Sequence, residues 1–302
     1  MKKIAAFDLV NLAYVATISL VVIARRPPNS LIFLALHGAA AGGIALVVFA
    51  HDRYGGGFWS FCRYWYVVPF VLCAFREIHY LVPLVHPFGD HHFDRILQAM
   101  DQRWFGDVDT FFIGKWPPGL VDLLHLCYWF YYIALLIPGG GLYGRRDWAG
   151  LRQFLSVTML GLLTSYLGYF AVPAIGPHHF LNPRPPVLDG WMLGGAMHRM
   201  VLAAELTMPD AFPSGHALMS MVVIVMTWRL YRPAFKFVIG PSLGCILATV
   251  ALRYHYMVDV IASAVLFPAV LLGGIALNRR WEEGRQDDSA PQKREPSTSS
   301  LP

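Results

Sequence analysis

Long apolar runs separated by short polar breaks dominate this chain. Eight of them fall at about 5–24, 31–50, 64–86, 118–139, 153–175, 215–231, 235–252 and 259–278. A hydrocarbon layer about 30 Å thick needs roughly 20 mostly apolar helical residues to cross it. Closed β-barrels also cross bilayers, but the runs are too long for strands and show no period-2 alternation. The pattern predicts an all-α integral membrane protein with about eight transmembrane helices.

Two polar connections are long. Residues 87–117 hold Asp90, His91, His92, Asp94, Asp101 and the pair Trp104-Phe105. Within them Phe93, Ile96, Leu97 and Met100 recur at helical spacing, which predicts an amphipathic helix over 93–104 lying at the membrane interface. Residues 176–214 carry Gly176-Pro177-His178-His179 and Pro183-Arg184-Pro185-Pro186. Connections of this length in a compact protein are usually functional. From Trp281 the chain turns charged and then Pro/Ser/Thr-rich, which reads as a disordered tail over 281–302. Asp8 and Asn11 interrupt the first run and no clear cleavage site follows it, so it reads as a retained span, not a signal peptide.

Composition agrees with the pattern. Of 302 residues, 56% are hydrophobic and only 14% charged, with a mean hydropathy of +0.47; soluble domains carry roughly 25% charged residues. With the N-terminus inside, fifteen Lys and Arg residues fall in inner segments and eight in outer ones. The bias places both termini in the cytoplasm, most simply of a cell inner membrane, and the long polar loops on the other side. The net charge of +5 suits loops near anionic lipid. No basic patch interleaved with aromatics points to nucleic acid. Cys62, Cys73, Cys127 and Cys245 have no paired spacing and read as small packing residues.

Two strings carry candidate chemistry, each where a polar stretch meets an apolar run. Pro213-Ser214-Gly215-His216 supplies a helix start: Ser214 as N-cap, Gly215 allowing close approach of a ligand, and free amides that favour an anion beside His216. About forty residues on, His255 and Asp259 stand four apart, on one face if that stretch is helical. Alone, the first string could be only a helix start and the second only a helix-stabilising pair. A zinc site built on His216, His255, Asp259 and His178 or His179 is a further option, though no Cys or second His completes a recognised spacing.

Together, in this order and spacing, the strings resemble those of the type 2 phosphatidic acid phosphatase superfamily. The run from Arg253 to Val260 looks most like its branch related to inositol phosphorylceramide synthases. The resemblance covers the six spans from about 64 to 278. It implies a domain order of two added N-terminal spans (1–60), a phosphatidic acid phosphatase-type membrane catalytic domain (61–280) and the tail (281–302). It implies that His255 is the nucleophile forming a phosphohistidine, that Asp259 orients it, and that His216 protonates the leaving alkoxide and then deprotonates the acceptor. No metal or other cofactor is implied. Histidine's pKa near neutrality suits both turns.

The chain departs from the family where the phosphate is bound. The family's lysine seven residues before Arg184-Pro185 is Pro177 here, and its arginine six before the nucleophile is Thr249. Candidate phosphate-binding groups are therefore Arg184, Arg253, Ser214, Gly215 and His178, with His178 or His179 supplying a substitute charge. Inside the spans, Arg76 is expected to pair with Asp122, because intramembrane charges usually face the bundle interior. The reading is a membrane-embedded phosphatase acting on a lipid phosphate or phospholipid at the non-cytoplasmic surface. Transfer of a phospho-head-group to an alcohol is the alternative, and a catalytically dead lipid-binding relative a second.

Overall fold

The computed structural model describes residues 4–86, 92–181, 184–205 and 209–287. The expectations on Asp90, His91 and Pro183 fall outside the described residues. Every regular element described is helical: α1 (Ala6–Arg25), α2 (Ser30–Tyr54), α3 (Gly56–Trp65), α4 (Val67–Val85), α5 (His92–Phe105), α6 (Val108–Phe111), α7 (Pro118–Ala134), α8 (Leu136–Gly144), α9 (Trp148–Ala171), α10 (Pro177–Phe180), a 3-10 turn (Pro186–Asp189), α11 (Gly194–Glu205), α12 (Gly215–Leu230), α13 (Arg232–Ala251) and α14 (Met257–Asp287).

Among the described residues seven stretches are long and apolar enough to cross a membrane: α1, α2, α3 with α4, α7 with α8, α9, α13 and α14. The helix carrying Gly215 and His216, α12, is apolar but only 16 residues long. It is also the most enclosed of the motif elements, with Leu218, Met219, Val222, Val223 and Met226 all buried. A helix wrapped by other helices need not match the bilayer thickness that lipid imposes on an exposed one.

The bundle is organised around α9, which packs against α1, α4, α8, α12 and α14. Two-thirds of its apolar window is buried, against 17% for α2 at the periphery. Small residues allow the close approach: a Cβ on Gly161 would meet Met219 and Val270, and one on Gly274 would meet the Val157 backbone. A second layer, α7 with α13, closes the other side of α12. At the end opposite the motifs, Arg152 donates to both carboxylate oxygens of Glu282 at 2.9 and 3.0 Å, and Trp281 Nε1 donates to the Ile4 carbonyl at 2.6 Å. Helix α14 therefore continues through Asp287, and the start of the segment read as a disordered tail is helical.

Two intramembrane carboxylates find their own partners, and for one of them the expected pairing changes. Asp8, which interrupts the first run, is fully buried and paired with Arg63, and accepts from Tyr66 Oη at 2.6 Å. Asp122 does not pair with Arg76. Its carboxylate accepts four successive amides, from Trp191, Met192, Leu193 and Gly194, at 2.8 to 3.2 Å. A carboxylate has about four lone-pair sites, so this one is filled by the loop before α11.

Candidate active site

The two strings meet at one end of the bundle. Ser214 N–H donates to the Asp259 carbonyl at 3.3 Å, and Ser263 Oγ reaches both the Ser214 and Asp259 carbonyls at 2.8 and 2.9 Å. Helix α12 starts as its sequence suggests. Ser214 is the N-cap, its Oγ accepting from Ala217 N at 3.2 Å. The amides of Gly215 and His216 open the helix and lie ahead of its own hydrogen-bond ladder. Gly215 has a second reason to lack a side chain: a Cβ there would stand 2.5 Å from the Tyr169 hydroxyl.

His255 is not on a helix. Residues 252–256 form a tight turn between α13 and α14, with Arg253 in the left-handed region at φ 64°. The turn is pinned by His255 N–H donating to the Thr249 carbonyl at 2.8 Å. Thr249, where the family places an arginine, thus contributes a backbone acceptor. Left-handed backbone at a non-glycine residue is uncommon and gathers at functional sites.

The His255 ring is fixed by two acceptors. Its Nδ1 lies 2.9 Å from the Ala211 carbonyl and 3.5 Å from Asp259 Oδ2. A carbonyl can only accept, so Nδ1 carries the proton and Nε2 keeps a free lone pair. Asp259 Oδ2 also accepts from Tyr256 N at 2.8 Å, while its Oδ1 is buried and unpartnered. Burial pushes the His255 pKa down to about 4, against the opposing pull of Asp210 and the Ala211 carbonyl. The ring is neutral near pH 7, as a nitrogen nucleophile requires.

His216 faces it, with ring centroids 5.7 Å apart. Tyr128 stacks on His216 at 4.3 Å and 21°, and Tyr254 continues the column onto Tyr128 at 4.2 Å and 20°. Tyr131 packs at 4.2 Å from His216. The His216 Nδ1 stands 3.5 Å from Tyr128 Oη, and its Nε2 is buried without a partner. Beside it lies a 70 Å³ cavity lined by Asp210, Tyr131, Tyr132, Tyr166 and Tyr169, with Leu72 and Phe75 of α4. Asp210 was invisible to the sequence reading. Burial pushes its carboxyl up to about 6 while His255 pulls it back.

The 176–205 loop supplies the remaining candidates. Pro177, at the family's lysine position, opens α10. His178 is buried against Tyr254 at 5.2 Å, and neither of its ring nitrogens has a partner. Burial, with His179, His198, His255 and Arg184 nearby, holds its pKa well below the ordinary histidine range. That direction leaves His178 a neutral donor near pH 7, not the substitute charge expected of it. Arg184 donates to the Leu252 carbonyl at 2.9 Å and the Leu188 carbonyl at 2.8 Å, and its Nε stands 3.5 Å from Asp189. It therefore ties this loop to the turn that carries Arg253 and His255. Arg253 Nε is buried and unpartnered.

Helix α5 appears where an amphipathic helix was expected, but its inner face is mixed. Leu97 is buried, Ile96 is exposed, and Asp94 and Asp101 are buried on the same face. Asp94 accepts from Ile175 N, Gly176 N and Tyr256 Oη, each at 3.0 Å. Asp101 accepts from Met257 N at 2.7 Å and Val258 N at 2.9 Å, the opening amides of α14. Among the described residues, no three His, Cys, Asp or Glu side chains converge as a metal-binding group.

Residues 95–273 match the PAP2 superfamily. Over 134 residues the chain is 29% identical to a PA-phosphatase related-family protein of Dictyostelium discoideum, a match covering 40% of this chain. The matched part spans 24% of that relative's own length. No solved structure matches. The matched stretch is more than half of the chain and contains both strings, the turn and the loop between them, so the chain belongs to the PAP2 superfamily.

Proposed function

We propose that the protein is a lipid-phosphate phosphatase with eight spans, both termini cytoplasmic, working through a phosphohistidine on its non-cytoplasmic side. One observation carries the reading. His216, at the start of α12, and His255, in the turn before α14, face each other at 5.7 Å, and several buried nitrogens around them have no hydrogen-bond partner: His216 Nε2, both ring nitrogens of His178 and Arg253 Nε. Buried polar groups are nearly always satisfied, so nitrogens gathered in this way suit an anionic, polar substrate group.

His255 Nε2 attacks phosphorus while the bond to the lipid oxygen breaks, and His216 protonates that departing oxygen. Water then attacks the phosphohistidine. His216 takes the water's proton, the N–P bond breaks, and its electron pair returns to Nε2. Arg184, Arg253, His178 and the amides of Gly215 and His216 bind the phosphoryl oxygens, and Asp259 stabilises His255 as it gains charge. Hydrolysis is favoured by the size of the 70 Å³ cavity beside His216, which holds a few waters but falls well short of the roughly 300 Å³ of a small-molecule pocket.

The hydroxyls and carboxylate lining that cavity favour the second reading, in which an alcohol accepts the phosphoryl group, as in the inositol phosphorylceramide synthase branch. The deciding experiment supplies ³²P-labelled lipid phosphate, with and without inositol, glycerol or a second lipid. Phosphate release without acceptor supports hydrolysis. Label that moves only into an added alcohol overturns it in favour of the transferase. No acid-labile labelled protein, with full turnover retained in His255→Ala, overturns the phosphohistidine.

A further inference from the structure

The polar residues interrupting the third apolar run lie away from the catalytic histidines and line a different space. A cavity of about 460 Å³ sits between α1, α2 and α4, walled by Val15, Phe33, Leu36, Phe70 and Ala74 and by the polar side chains of Tyr14, His37, Arg76 and Glu77. Arg76 lies nine residues before the end of α4 and His37 seven after the start of α2. At 1.5 Å per residue, both are about 10–14 Å inside their helix ends; the spans that carry them, 25 and 30 residues long, exceed the roughly 20 that the hydrocarbon requires, so the long Arg76 side chain can reach the head-group level.

Two of these polar groups satisfy each other. Ser19 Oγ donates to the Val15 carbonyl at 2.8 Å, so its contact with His37 Nδ1 at 2.8 Å is made by the Nδ1 proton. His37 Nε2 then meets Glu77 Oε1 at 2.6 Å with one proton between them. Whichever atom holds that proton, the pair as a unit is neutral. Arg76 is left as the uncompensated charge. It is exposed and makes no hydrogen bond or ion pair among the described residues. The Tyr14 hydroxyl, 4% exposed as a residue, is buried without a partner on the same cavity. A free cation and a free donor converge on an apolar-walled space opening to lipid; that combination fits an anion attached to hydrocarbon.

We propose that this cleft binds one anionic phospholipid of the surrounding leaflet, its head-group phosphate on Arg76 and Tyr14 and its upper chains along the apolar wall. The site does not depend on the reaction proposed above. Its neighbourhood to catalysis is one helix: Leu72 and Phe75, on the other side of α4, line the cavity beside His216.

The test uses the full-length protein in nanodiscs of phosphatidylglycerol, phosphatidylcholine or an equal mixture. Native mass spectrometry counts retained lipid, and N-ethylmaleimide labelling of Cys73, which is exposed and lines the cleft, reports its occupancy. Retention of one phosphatidylglycerol is expected from the mixture, with Cys73 labelling slowed several-fold relative to phosphatidylcholine alone. Arg76→Gln is expected to reduce retention about tenfold and restore labelling, and Tyr14→Phe to do so more weakly. His255→Ala keeps both signals, which separates this site from the catalytic one. Equal retention of both lipids, or protection that survives Arg76→Gln in a protein of normal thermal stability, overturns the proposal. If Arg76→Gln does not fold, Leu36→Trp, which fills the cleft, is read instead: undiminished phosphatidylglycerol retention overturns it.

Discussion

Replacing Asp101 tests whether the interfacial helix builds the active site or merely floats beside it. Its two oxygens accept the Met257 and Val258 amides at 2.7 and 2.9 Å, and the side chain is 3% exposed. These are opening amides of α14, which the helix cannot satisfy itself. A hydrogen bond to a charged group is worth about 1.5–3 kcal/mol, so Asp101→Ala removes about 3–6 kcal/mol if nothing relaxes. Met257 is only partly buried and water can reach it, which favours the lower end, about 3 kcal/mol. Asp101→Asn keeps one acceptor and loses about half as much. At roughly 2 °C per kcal/mol for a chain of this size, thermal unfolding in detergent should fall by about 6 °C for Ala and 3 °C for Asn. Turnover should fall further than stability, because His255 stands two residues before the helix start. A melting temperature within about 1 °C of wild type, with normal turnover, refutes the clamp.

Other outcomes follow from the same geometry. Burial sets the His255 pKa at about 4 and that of Asp210 at about 6; if His255 reacts as the neutral ring, kcat/KM in wild type should rise with pH through the lower step. Asp210→Asn removes the charge that raises the His255 pKa, so that step should move to lower pH; an unchanged profile rejects the coupling. Gly215→Ala sets a methyl group 2.5 Å from the Tyr169 hydroxyl and should cost about 1–3 kcal/mol by overpacking, partly recovered in the double variant with Tyr169→Phe. A cysteine introduced at Gly195 should label only from the non-cytoplasmic side; cytoplasmic labelling would reverse the proposed orientation.

What the sequence revealed and what it hid divide along a physical line. The apolar runs and the Ser214 cap were legible because periodicity and capping are local. Helix α5 was legible for the same reason, yet its role was not: Asp94 and Asp101 look like solvent-facing residues in any hydrophobicity pattern. They are buried only because distant backbone amides need them. Asp122 misled in the opposite way. A nearby intramembrane arginine suggested an ion pair, but four amides in a loop some seventy residues on had first claim. The helical spacing of His255 and Asp259 was also misleading in detail. The two side chains do approach, at 3.5 Å, but across a turn and a helix start, with the Ala211 carbonyl closer to His255 than the carboxylate is.

The aromatic column over His216 bears on stereochemistry. With Tyr128 stacked on its face and Tyr131 close by, the ring leaves its unpartnered Nε2 edge for the proposed proton exchange. If that edge serves both half-reactions, the departing alcohol and the incoming acceptor must occupy the same place, one after the other. Each in-line displacement inverts phosphorus, so the two together return its original configuration. A substrate made chiral with oxygen isotopes and passed to an alcohol should in that case emerge with retention, and the kinetics should be ping-pong, the departing and incoming alcohols taking turns at one place.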